Sequence, residues 1–369
     1  MGGATYKGTW FKGPKPTAEA RRLPADGEEA KRIVARAETG AARIESVRSQ
    51  KRRMPPPLLY DLTELQRHAN RVFGWSARRT LATAQKLYEQ RKLISYPRTD
   101  SRHLSRDVAS TLGEVVAAIR EPYEEHLADG TGERPLGRRF VDDAKVTDHH
   151  AIIPTTTSAA GLSLTADERR LYDLVCRRLL AAWHRDHVWS VTTIVTAITN
   201  AAEGDREPIV DRYHSRGSMV LEDGWKVLDL GYQRQAPGTP APKGRKKGKA
   251  GKEDQALPPG LAEGQPQEVV DARAVAKQTR PPKRFTEATL LTAMETAGKT
   301  LDDKQLSAAM RDSGLGTPAT RAAIIENLLA RKYLERRGKA FHATDRGIRL
   351  IDVVHPQVKS PEMTGRWEA

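Results

Sequence analysis

A chain of 369 residues, 38% of them hydrophobic, has material for two or three cored domains, and 30% charged residues leave its surfaces strongly polar. The formal net charge of +15 points to a polyanionic partner, most simply nucleic acid; the lysine run at 243–252 supplies part of it, yet arginines are spread throughout. The single cysteine, Cys176, excludes an internal disulfide and a cysteine-based metal site, and no apolar run approaches the roughly 20 residues that span a bilayer.

Met1–Thr5 has no apolar stretch of the signal-peptide kind, so a cytoplasmic protein is expected. Tyr6–Phe11 reads as a strand, 27–35 as a helix, and Ala41–Val47 alternates as a half-buried strand does. Pro55-Pro56-Pro57 forbids helix and central strand alike and marks a boundary.

From Leu58 to about His187 the pattern is helical. Leu58, Leu62, Leu65, Ala69 and Val72 share a face, with Thr63 and Gln66 as a capping box and Gly74 as the stop. Ser76 caps a helix carrying Leu81, Ala84 and Leu87. Another follows Ser105, with Val108, Leu112, Val115 and Ile119 on one side. Thr165 with Glu168 opens a helix through Trp183, in which Cys176 is an apolar filler.

Val188–Thr199 is dense in β-branched residues and reads as a strand. Further strands are expected near Ile209, over Ser218–Leu230 with a turn at Asp223-Gly224, and near Gln267–Ala276; Pro237–Glu253 reads as a flexible insertion. The economical arrangement is one β domain from 1–57 and 188–280, interrupted by a helical domain over 58–187. Residues 281–369 form a third region: a helix over Thr286–Ala297, a helix capped by Thr317 with Pro318 at its first position, a hairpin over Tyr333–Ala343 and a helix from Thr344. That is the order of a winged-helix unit.

Three stretches carry chemistry. In Leu93-Ile94-Ser95-Tyr96-Pro97-Arg98-Thr99-Asp100-Ser101 a buried run ends in a tyrosine, and a proline fixes the loop before Arg98. A phenol is a weak nucleophile at its free pKa of about 10, and a nearby guanidinium would stabilise both phenolate and phosphoryl charge. On spacing alone a strand-end tyrosine packed on the core, with a solvated arginine, is the more ordinary reading. In Asp148-His149-His150-Ala151-Ile152, a histidine held by a carboxylate suits donation to phosphate, while a metal site lacks a third ligand at useful spacing. Thr317, Thr320 and Arg321 at a helix N-terminus suit a backbone phosphate, because free amides and the dipole favour an anion there.

The nine residues 93–101 resemble the active-site tyrosine motif of type IA DNA topoisomerases, closest to the topoisomerase III branch. The likeness continues through Pro56-Pro57-Leu58-Leu59-Tyr60-Asp61-Leu62-Thr63, Arg284–Leu290, Gly314–Arg321 and Met363–Glu368, nearly the whole chain. It implies an α+β multidomain fold: a β arch, an inserted helical domain bearing the tyrosine, and part of a winged-helix-like base that binds single strands. It makes Tyr96 the nucleophile that keeps a 5′ phosphate, with Arg98 and His149 assisting; Thr99, Asp100, Ser101, His150, Thr317, Thr320 and Arg321 fall on the DNA side. It implies single-stranded DNA as partner, a helicase as a candidate second one, and a nucleoid location. ATP is not required, and no Walker A sequence is present. The family also carries a TOPRIM domain whose carboxylates hold magnesium. No Asp-x-Asp-x-Glu occurs here, and Asp142-Asp143 and Asp302-Asp303 lack that spacing. The expectation is therefore the central portion of a longer enzyme that binds DNA without cutting it. The alternative is a stand-alone strand-binding module that has lost the chemistry. A tyrosine recombinase would place its nucleophile after its histidine and arginines, the reverse of the order here.

Overall fold

The computed structural model describes residues 4–201, 207–232, 254–300, 305, 307, 310 and 314–368. The expected insertion at 237–253 and Asp302-Asp303 lie outside them. The fold is α+β and multidomain. It divides into a sheet unit (1–55, 186–224, 233–280) and a mainly helical unit (56–185, 225–232, 281–369).

In the sheet unit, three long strands dominate: β2 (Ala41–Met54), β3 (His187–Asn200) and β4 (Ile209–Glu222). With β1 (Thr9–Phe11), the two-residue β5 (Asp254–Gln255) and β6 (Pro266–Gln267) they form one six-stranded sheet in the order β1-β4-β3-β2-β6, with β5 parallel to β4. Met54 pairs with His187, so the chain leaves the sheet and re-enters it at neighbouring positions.

The 218–230 expectation fails as one strand. β4 is continuous from Ile209 to Glu222, and Gly224–Leu228 is a 3-10 turn entered through Gly224 at φ 54°. Of the expected 267–276 strand only Gln267 joins the ladder, in the two-residue β6; Val270 and Val275 beyond it are exposed. Helix α1 (Glu28–Thr39) packs Ala37 on Ala42 and Ile198. Its Arg36 grips buried Asp211 of β4 at 2.7 and 3.0 Å, and Trp10 Nε1 donates to the same carboxylate at 2.8 Å.

The helical unit is built on α2 (Leu62–Phe73), α3 (Ala77–Glu89) and α6 (Ala166–Leu180), with the shorter α4 (Arg106–Ser110) and α5 (Leu112–Ile119). Ser76 caps α3, and Thr165 with Glu168 forms the expected box on α6. The start of α2 differs from expectation. Its cap is Asp61, whose carboxylate accepts from Glu64 N at 2.6 Å, so Leu58 precedes the helix and Thr63 lies buried within it. Val72 faces outward, 40% exposed. The helix after Ser105 breaks at Thr111, whose N–H turns back to Val108. Leu59, Leu65, Leu87, Leu93, Ile152 and Leu171 centre the core, and Cys176 is buried among them.

Helix α7 (Glu287–Glu295), α8 (Pro318–Ala330), the hairpin β7 (Leu334–Arg337) and β8 (Ala340–Ala343), and α9 (Asp345–Val353) follow in the expected order. Leu291, Met294, Ala322, Ile325 and Phe341 close a small core over Ala77 of α3. No described helix is long and apolar enough to cross a membrane.

Replacing Asp211 with Ala strands Arg36 and Trp10 and should lower the urea-unfolding free energy by about 3 kcal/mol. Asp211→Asn keeps an oxygen for Trp10 and should lose less.

Candidate active site

The tyrosine loop begins where α3 ends. Lys92 takes a left-handed φ of 56°, and Leu93 N–H reaches back to the Leu87 carbonyl at 2.9 Å, which turns the chain out of the helix. Pro97 then prevents any return to helix. The loop is knitted to a distant segment. Ile94 bridges Pro154, Ser95 N–H donates to Ile153 O at 2.9 Å, and Ile153 N–H donates to Ser95 Oγ at 3.0 Å. Ser95 Oγ in turn donates to Ala151 O at 3.1 Å. This pairing sets His149 beside the tyrosine: the rings of Tyr96 and His149 lie 4.3 Å apart at a 45° tilt. Tyr88, near the end of α3, meets Tyr96 edge-on at 5.5 Å.

Arg98 is exposed, and it shares a cleft of about 160 Å3 with Thr99, Asp100, Thr147, Asp148, His149 and the residues Thr317–Ala319 that open α8. Thus Tyr96, Arg98, His149 and Thr317 come together from three separate stretches of sequence. Tyr96 is half-buried beside this group.

Of the remaining expected residues, Thr99 and Asp100 line the cleft, whereas Ser101, His150, Thr320 and Arg321 stand outside its lining. Thr99 is buried, and its hydroxyl donates to His149 O at 2.9 Å. Ser101 is also buried, donating to Lys145 O at 2.8 Å. Asp100 accepts from the Thr147 hydroxyl at 3.3 Å. His150 Nδ1 donates to Ala151 O at 2.8 Å, and burial holds its pKa below the usual imidazole range. Thr320 Oγ1 accepts from Thr317 N–H at 2.9 Å, completing the cap of α8. Arg321 is 3% exposed and reaches Thr63 Oγ1 at 3.1 Å, so it fastens α8 to α2 and does not line the cleft.

The approach of α8 depends on a glycine. Gly314 has φ 63°, and a Cβ there would fall 2.6 Å from Met294 O. Leu315 N–H bonds that same carbonyl at 2.8 Å. Glu287, 3% exposed, locks α7 to α3 by accepting from Ala77 N–H at 3.0 Å and from Arg336 at 2.8 Å.

Tyr88 carried no chemical signal in the sequence, since a tyrosine near a helix end is ordinary core. The nearness of Thr317 to Arg98 was equally hidden by more than two hundred intervening residues. Among the described residues no three His, Cys, Asp or Glu side chains could hold a metal ion together. The cleft offers only Asp100 and Asp148, so the residues present do not fit a magnesium site and no step below passes through one.

With this geometry in place, the comparisons with known proteins fall into line. A family model described as DNA topoisomerase matches residues 9–369. The chain therefore belongs to the type IA DNA topoisomerase family. Its curated relatives put it in the topoisomerase III branch. DNA topoisomerase 3 of Bacillus cereus (strain ATCC 14579) is 38% identical over 341 residues, 91% of this chain and 44% of the relative. DNA topoisomerase 3 of Shouchella clausii (strain KSM-K16) is 34% identical over 373 residues, covering 99% of this chain and 47% of the relative. The chain thus spans less than half the length of these relatives. Full-length topoisomerase I from Thermotoga maritima has the same fold over 95% of this chain and 51% of its own, with a TM-score of 0.63 at 22% identity.

Asp61 stands directly behind the loop, since Leu62 N–H donates to Thr99 O at 3.0 Å. Burial pushes its carboxyl up to about 6, against the Glu64 N–H bond and the Arg102 charge that favour ionisation. A raised value means that the folded state prefers the protonated acid. This contribution is fully present below pH 4 and is lost as pH rises through 6, a change of about 3 kcal/mol. Asp61→Asn keeps a capping oxygen without the ionisation, and it should flatten the dependence of unfolding free energy on pH across that window.

Proposed function

We propose that this chain supplies the nucleophile and the strand-binding face of a type IA topoisomerase acting on single-stranded DNA. One observation carries the reading: Tyr96 packs on His149, and His149 shares a cleft with Arg98 and the N-terminus of a thirteen-residue helix. A strand phosphate in that cleft meets a guanidinium, an imidazole and the positive end of the α8 dipole together.

In the reaction, the Tyr96 phenol loses its proton and its oxygen attacks the phosphorus. The new O–P bond forms as the bond to the upstream 3′ oxygen breaks, and that oxygen takes up a proton. The tyrosine is left esterified to a 5′ phosphate. The freed 3′ hydroxyl later reverses the step, so the phosphodiester's energy is conserved and no ATP is spent. Arg98 and His149 stabilise the charge that grows on the phosphoryl oxygens. Thr99, Asp100 and Ser101 hold the loop that presents Arg98, and Thr320 and Arg321 hold the helix that presents Thr317. Magnesium, which the family likeness implies, would need carboxylates from beyond the described residues. A bacterial nucleoid is the setting this substrate implies, and a strand-separating helicase is the partner class that would feed it.

The direct test uses a version of the chain joined to a TOPRIM domain. Tyr96→Phe should abolish covalent DNA adducts on a denaturing gel while binding stays nearly constant, and surviving adducts would sink the assignment. Arg98→Ala or His149→Ala should slow oligonucleotide cleavage on the order of a hundredfold, with a much smaller change in affinity.

The chain without that domain should bind single-stranded oligonucleotides with an affinity that falls steeply with salt, because phosphate contacts dominate. Mixed with magnesium it should yield no covalent product. Cleavage under those conditions would mean that these residues already form a complete active site.

A further inference from the structure

A second cavity, of about 360 Å3, lies between α2, α6 and the Gly224–Leu228 turn, and it shares no lining residue with the tyrosine cleft. Four guanidinium groups line it, those of Arg71, Arg102, Arg177 and Arg178, against the carboxylates Glu64 and Asp229. Three of the four have an acidic neighbour. Arg71 pairs with Glu64 at 2.6 Å, Arg177 with Asp173 at 2.9 Å, and Arg102 lies 4.0 Å from Asp61.

Arg178 is different. It is 8% exposed, yet no carboxylate lies within 4 Å of it among the described residues. Its bonds go to neutral acceptors, Leu58 O at 2.9 Å and His68 Nδ1 at 3.3 Å, and its guanidinium lies 4.0 Å from the centre of the Tyr60 ring. Those contacts satisfy hydrogen bonds but put no carboxylate in contact with the buried charge; Glu64 and Asp229 on the same cavity wall act on it only from beyond 4 Å.

His68 sharpens the point. Arg178 can only donate, so His68 Nδ1 must accept, and the Tyr60 hydroxyl donates to the same nitrogen. The imidazole proton is therefore on Nε2. Burial and the charges of Arg178 and Arg71 hold the ring neutral, with a pKa of about 3. Burial pushes the Asp229 carboxyl up, against the Lys226 and Arg178 charges that favour its ionisation. An anion in the cavity would give Arg178 the direct contact that Glu64 and Asp229 do not make, and Trp225 on the same wall adds an aromatic surface.

We propose that this cavity binds a nucleotide, its phosphate neutralising Arg178 and Arg71 and its base lying against Trp225. The volume falls within the range of about 300–1,000 Å3 usual for small-molecule sites, and guanidinium pairs are suited to phosphate. The occupant is either a free mononucleotide or one residue of a single strand; the chemistry is common to both. The site stands apart from Tyr96 chemistry, so either assignment can fail without the other.

Calorimetric titration of the whole chain with thymidine 5′-monophosphate tests it. Arg71→Gln is the main variant, because Arg71 is half-exposed and Glu64 retains Arg67 as partner. The expected result is nucleotide binding that weakens about tenfold in Arg71→Gln. Thymidine, which lacks the phosphate, should bind the unmodified chain at least tenfold more weakly, a comparison that needs no variant. Equal binding of thymidine and its monophosphate would overturn the proposal. So would nucleotide binding lost in Arg98→Ala but intact in Arg71→Gln, since the ligand would then be in the tyrosine cleft. A thymidine 12-mer identifies the source: if Arg71→Gln weakens the 12-mer in step with the monophosphate, the occupant is a strand residue, and if only the monophosphate responds, it is a free nucleotide.

Discussion

The short pairing of Ser95 with Ala151–Ile153 is the constraint on which the site depends. A loop that leaves a helix through a left-handed lysine and then meets a proline has no internal ladder of its own. Its backbone groups must be satisfied elsewhere, and residues fifty-eight positions downstream satisfy them. The chain closure is long, but its entropic cost grows only slowly with length, and the buried cluster around Leu93, Ile94 and Ile152 offsets it. Once this pairing forms, the position of His149 follows from three residues of chain, and the Tyr96–His149 contact needs no further fixing.

A second set of buried polar contacts brings α8 to the same place. Glu287 bonds α3 and the hairpin, Asn70 Oδ1 accepts from Ala288 N–H at 3.2 Å, and Arg321 reaches Thr63. Arg67 bridges Glu64 of its own helix and Glu295 of α7. Apolar contacts alone would let α7 and α8 slide over α2 and α3. Directional bonds to buried groups do not, because each slipped register leaves a polar atom unsatisfied. The helix start near Arg98 is thus as precise as the helices behind it.

Much of this was legible in the sequence where a local rule had no competitor. Ser76, Thr165 with Glu168, and Thr317 before Pro318 cap the helices that they were expected to cap. Rules failed where two candidates stood close together. Asp61 and Thr63 could both begin α2, and the carboxylate won because the extended Pro-Pro-Leu-Leu-Tyr run delivers it to the first free amides. In β4, the residues near Ile209 and those from Ser218 form one strand, since Gly217 fits into the ladder under Leu257 instead of breaking it. Tyr96, Arg98 and His149 stood out through motifs, whereas the edge contact of Tyr88 and the neutral contacts of Arg178 arise only from packing. A sequence shows that an arginine is present; it does not show which groups will touch it.

The sheet holds one more lesson. Ala42 and Ile44 of β2 are buried, but from Arg48 to Met54 every residue of that strand is exposed, though each pairs with β3. Half of this strand is thus held by its ladder and by cross-strand contacts such as Ser49 with Ser190 at 2.8 Å, with no core beneath it. Volume is not constrained there; only strand propensity and the sign of neighbouring charges are. Over evolutionary time this segment can change its side chains widely while its backbone course stays put, whereas Ala42 and Ile44, a few residues earlier, must stay apolar and keep their volumes.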